Sequence, residues 1–187
     1  MKRYFLLLLA LTFPVTSSAR EYMGYEVVSF PFTLAGGEVV KLPITAAGPI
    51  PAETRKLKVE VAGFSVGPSA KNPKAPVLSW HFGFTAKRLK PLESVEIAEV
   101  FPSKTVNTLV FDASPTLESG YWKGGVIAVP AGPQTTPWLY DTEASIFVFR
   151  FSVREKGKRP IVLYQPAWFS KEAKDVFRLQ VARIAEN

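Results

Sequence analysis

His81 is the only histidine in this chain of 187 residues, and there is no cysteine. Those two counts exclude a cluster of imidazoles and thiolates, so no zinc or copper centre is expected. A Ser-His-Asp arrangement would have to combine His81 with a serine such as Ser114 and an acid such as Asp112 or Asp141. No Gly-x-Ser-x-Gly turn exists to hold up a nucleophile. Alternation places His81 in a row with Ser79, Gly83 and Thr85, opposite an aromatic stripe, where an imidazole faces solvent.

Carboxylates are the other candidates for chemistry. Asp112, Glu118, Asp141 and Glu143 lie in or beside turn-rich segments. Two of them across a cleft would suit glycoside hydrolysis, and their oxygens would suit calcium. Asp141-Thr142-Glu143 lacks the Asp-x-Asp-x-Asp-Gly spacing of a calcium loop, so solvated loop carboxylates are expected. Gly124-Gly125 runs into Val126-Ile127-Ala128-Val129, which continues as strand and opens no helix to cradle a phosphate. No catalytic residue, metal ligand or cofactor is assigned on these patterns.

Two kinds of surface residue remain as a binding surface. One is basic: Arg55, Lys56 and Lys58, then Lys87, Arg88 and Lys90, then Arg154, Lys156, Lys158 and Arg159. If the last two groups are hairpin tips at one end of the molecule, they form a patch for anionic polymers or lipid headgroups. The other is aromatic: Tyr121-Trp122, Trp138-Leu139-Tyr140 and Trp168-Phe169 flank Gly/Pro-rich loops. Exposed rings stack on sugar faces or anchor a protein partner, and otherwise they seal the ends of a fold.

The elements that would position these residues read as strands. Val28, Phe30, Phe32 and Leu34 alternate, as do Leu57, Val59 and Val61 against Lys56, Lys58 and Glu60. Leu78, Trp80, Phe82 and Phe84 form a third stripe, and Phe147, Phe149, Phe151 and Val153 a fourth. The Trp and Phe of the last two stripes are the expected core. Shorter candidates occupy 38–44, 93–101, 106–111, 121–129, 160–165 and 175–184. The last fits a strand through Phe177, Leu179 and Val181 and a helix through Ala173, Phe177, Val181 and Ile184; the strand is the expectation. A turn at Gly36-Gly37-Glu38 would pair Leu34 with Val40, Phe32 with Leu42 and Phe30 with Ile44, setting Pro31 against Pro43, so that the hairpin is an edge or bends where the chain passes between sheets.

About ten short strands between Gly/Pro-rich breaks predict a two-layer antiparallel β-sandwich, Ig-like or jelly-roll-like. The competing outer-membrane barrel fits sixteen prolines poorly. With no disulfide available, burial of fourteen Phe and four Trp must supply stability.

Lys2 and Arg3, the apolar Phe5–Leu11 and the small residues Ser17-Ser18-Ala19 have the layout of an export signal, with cleavage leaving Arg20 first. Residues 20–187 would then be a single domain. Removing residues 1–19 takes away two basic residues and no acidic ones, so the net charge falls from +7 to +5. The expectation is a non-enzymatic exported module, periplasmic or extracellular, that binds or scaffolds a protein or an anionic or carbohydrate envelope polymer. Its alternatives are a carbohydrate-active enzyme using the loop carboxylates and a carbohydrate-binding domain using the loop aromatics. Nucleic acid is not an expected partner of an exported chain, and no membrane-spanning segment is expected after the signal.

Overall fold

The computed structural model describes residues 21–46, 48–86, 92–102, 107–111 and 121–186. Its elements in chain order are β1 (Glu21–Tyr22), β2 (Tyr25–Glu26), β3 (Val28–Thr33), β4 (Val39–Thr45), β5 (Gly48–Pro49), β6 (Ala52–Glu53), β7 (Leu57–Pro68) and β8 (Pro76–Ala86). There follow β9 (Leu92–Phe101), β10 (Asn107–Phe111), β11 (Tyr121–Pro130), a 3₁₀ turn at Pro137–Leu139, β12 (Ser145–Glu155), β13 (Ile161–Phe169) and α1 (Lys171–Glu186). All strand pairings are antiparallel, and the described sheets stay open rather than closing into a barrel.

Two four-stranded sheets, ordered β11-β8-β7-β6 and β10-β9-β12-β13, form the sandwich. The predicted stripes meet between them. Trp80 sits edge-on to Phe147, Phe149 and Phe169 at ring separations of 5.2, 4.8 and 5.3 Å. Phe82 packs the same way on Phe149 and Phe151 at 5.1 and 5.9 Å. Trp80, Phe82, Phe147, Phe149 and Phe151 are all buried, and each phenyl ring contributes about 1.5–3 kcal/mol through burial alone. Phe84 is on β8, with its side chain outside the described residues. An extra residue at Ala62 shifts the β7–β8 register, with Gly63 at φ +151°, so Phe64 turns inward and Ser65 outward beyond it.

A third layer lies on the back of the second sheet. Strands β3-β4-β5 form a small sheet whose Phe32, Leu34 and Leu42 pack on Ala98, Val100 and Val148. These last three belong to the opposite parity from Ile97 and Phe149, so β9 and β12 each bury apolar residues on both faces, with the Arg150–Glu96 ion pair farther along the back face. The Ala35 amide donates to the Val100 carbonyl at 2.8 Å and ties the hairpin tip to β9. The β3–β4 register differs by two residues from the expected one: Phe32 faces Val40, Phe30 faces Leu42 and Val28 faces Ile44. Pro31 therefore opposes Lys41, and Pro43 opposes Ser29. The cause is a turn centred on Gly36 instead of Gly37: Leu34 donates to the Glu38 carbonyl and Gly37 donates back to the Leu34 carbonyl, so the loop is Ala35-Gly36-Gly37. A shift of two keeps each residue on its expected face, and β3 is an edge as expected.

The segment 175–184 is helical, not a strand. Ser170 caps α1, its Oγ accepting from the Ala173 amide at 3.2 Å while its carbonyl accepts from Lys174. The ring of Phe177 lies 4.5 Å from that of Phe64, and Val181 is buried in the main core. Leu179, which completed the apparent alternation, is 61% exposed.

Candidate functional site

The inward row of β12 runs Phe147, Phe149, Phe151, Val153 and ends on Glu155, a carboxylate in a core position with 3% exposure. A charge placed there needs partners. It has two: Lys56 Nζ at 3.4 Å and Lys158 Nζ at 2.7 Å, one on each oxygen. Lys158 is set by the β12–β13 hairpin, where its amide donates to the Glu155 carbonyl at 3.0 Å across Gly157 at φ +73°. Lys56 is set by a turn in which Thr54 Oγ1 accepts from the Lys56 and Leu57 amides. The hydrogen bond from Lys158, reinforced by Lys56, holds the Glu155 carboxyl below its ordinary value.

Two basic segments far apart in sequence thus meet at one end of the sandwich. Arg55, Lys56, Arg154, Lys156, Lys158 and Arg159 are exposed there. Lys58, half-buried, lies 3.8 Å from Glu60. The stretch containing Lys87, Arg88 and Lys90 lies outside the described residues. Its flanks lie at the same end, Ala86 opposite Leu57 and Leu92 opposite Glu155. Glu155 was legible only by carrying the β12 alternation two residues past Val153.

The aromatic candidates separate. Trp138 packs on Phe147 and Phe169 at ring separations of 4.9 and 4.7 Å, and Tyr140 also borders the main core. Both close the end of the sandwich opposite the basic turns. Trp168 is 41% exposed on the outer row of β13, and Tyr121 and Trp122 are on β11 with side chains outside the described residues. His81 is half-buried on the outer face of β8, and its Nε2 lies 2.9 Å from Ser65 Oγ. Among the described residues no carboxylate hydrogen-bonds that ring, and none of them form a cluster of metal-ligating type. Asp141 and Glu143 are exposed; Asp112 and Glu118 lie outside the described residues.

Two features had no sequence signal. Lys174 is fully buried on α1, and its Nζ donates to the Glu143 carbonyl. Burial lowers its pKa, against the raising effect of Asp141. The second is a cavity of about 530 Å³ beside β13, lined by Tyr22, Leu42, Pro43, Pro51, Lys58 and Val162–Tyr164 among others. At its rim Tyr164 Oη donates to Glu38 Oε2 at 3.2 Å; burial, then the Glu38 charge, raises the phenol's pKa.

No helix among the described residues is long and apolar enough to cross a membrane. The chain matches no protein-family model, no curated protein and no solved structure.

Proposed function

We propose that this chain is a non-enzymatic exported module that binds an anionic envelope polymer through its basic end. The observation that carries the reading is the convergence of Lys56 and Lys158 on the buried Glu155. A carboxylate anchored in the core fixes both turns, so Arg154, Lys156 and Arg159 are displayed from a rigid base. One buried negative charge neutralises only part of the positive charge gathered there. A fixed positive surface raises the local concentration of a polyanion and speeds its association.

The test is retention on immobilised dextran sulfate as a function of NaCl concentration. Reversing Lys87, Arg88, Lys156 and Arg159 to Glu leaves the Glu155 contacts in place and is expected to lower the eluting salt sharply. His81→Ala is expected to elute with the wild type. Equal retention of the charge-reversed and wild-type proteins overturns the reading.

A further inference from the structure

One face of α1 is committed to its own chain. Lys174 and Val181 are buried, and Phe177 packs on Phe64 and Phe169. The opposite face carries Glu172, Val176, Leu179 and Arg183, all exposed, at steps of four, three and four residues. That spacing holds the four in one stripe along the helix. Among the described residues Val176 is 53% exposed and Leu179 61%. Contact with water explains neither. The outer face of a surface helix is ordinarily polar, and a β-branched valine is a poorer helix former than alanine.

The stripe is complementary to itself. A two-fold axis crossing the helix between Phe177 and Arg178 exchanges position 176 with 179 and position 172 with 183. Two copies packed antiparallel about that axis set Val176 against Leu179 and Glu172 against Arg183, each twice over. A parallel pair would set Glu172 on Glu172 and Arg183 on Arg183, which repulsion between like charges opposes. The acid lies in the first turn and the base in the last, where each also suits the helix dipole. Glu172 carries its charge at neutral pH, its carboxyl held below the usual value by its own backbone amide and the Ser170 hydroxyl. Arg183 already interacts within its own chain, and its five N–H donors can serve a second carboxylate as well.

We propose that α1 is the contact between two copies of this chain, packed antiparallel about a two-fold axis. Val176 and Leu179 of both copies fill its centre, and a Glu172–Arg183 ion pair closes each end. Two apolar side chains per copy make a small contact, at the low end of specific interfaces below about 1,200 Å² of buried surface, so the pairing is weak and concentration-dependent. It uses no residue of the basic end and does not rest on the polymer-binding reading.

The test is sedimentation velocity of the protein over rising concentration, with the mass expected to move from one copy towards two. Leu179→Lys, at an exposed site, is expected to weaken association about tenfold or more. Glu172→Arg and Arg183→Glu, each alone, set like charges together at both ends and are expected to weaken it too. Mixing these two variants in equal amounts restores both ion pairs, so association is expected to return in the mixture. Far-UV circular dichroism of each variant checks that its helix is kept. A wild type that stays monomeric overturns the proposal, because the face is then free or covered within one chain. Association that Leu179→Lys leaves unchanged overturns it, because the contact then lies elsewhere. So does a mixture of the two folded charge variants that associates no better than either alone.

Discussion

Glu155 shows how one residue couples the core to the surface. It occupies the position where the β12 row would otherwise place another apolar side chain, and Lys56 and Lys158 form ion pairs with it from opposite turns. Its folded pKa lies below the ordinary value of 4.5, chiefly through the Lys158 hydrogen bond. The unfolded chain therefore takes up the proton first as pH falls. The stabilisation is complete above about pH 4.5 and is lost as pH drops through the lower folded value. Glu155→Gln is accordingly expected to have a lower urea midpoint than wild type at neutral pH. The two midpoints should converge under acid conditions. A difference that persists unchanged at low pH would show that packing, rather than the ion pairs, accounts for the contribution of Glu155.

At the scale of elements, α1 is where periodicity was ambiguous and local chemistry decided. A helix needs its first amides capped, and Ser170 supplies an acceptor at 3.2 Å to the Ala173 amide. Ser170→Ala is expected to cost about 0.5–2 kcal/mol in chemical denaturation, with Ser170→Asp restoring most of it. An unchanged midpoint in Ser170→Ala would mean that packing of Phe177 and Val181 alone holds the helix. The alternation Phe177-Leu179-Val181 suggested a strand because sequence does not reveal that Leu179 is left in solvent. The main strands were readable because one face of each is apolar: Leu57 and Val59 are buried, and so are Phe147, Phe149 and Phe151. The β3–β4 faces were readable for the same reason, but their register was not, since it depends on hydrogen bonds within the Leu34–Glu38 turn. Of the proposed binding surface, the charges at Arg55–Lys58 and Arg154–Arg159 were visible in the sequence. Their meeting was not, because it depends on which strand ends the two sheets bring together.

For the whole molecule, the consequential feature is that β9 and β12 belong to two cores at once. Phe149 faces Trp80 and Phe82, while its neighbour Val148 faces the other way onto Phe32, Leu34 and Leu42. Loosening either layer removes packing from a strand on which the other depends. The three-stranded sheet would bury little by itself, and its Val28 and Phe30 already extend into solvent. Its stability therefore derives from docking onto β12 and from the Ala35–Val100 hydrogen bond. Such sharing predicts one cooperative unfolding transition rather than two. Phe149→Ala is expected to cost about 3–5 kcal/mol and Leu42→Ala about 2–5 kcal/mol. Each should move the whole transition to lower denaturant when followed by both tryptophan fluorescence and far-UV circular dichroism. Trp80 reports the main core, whereas Leu42 lies in the second. If Leu42→Ala leaves the fluorescence transition in place while an earlier dichroism transition appears, the third layer folds as a separate unit. The coupling through β12 would then be wrong.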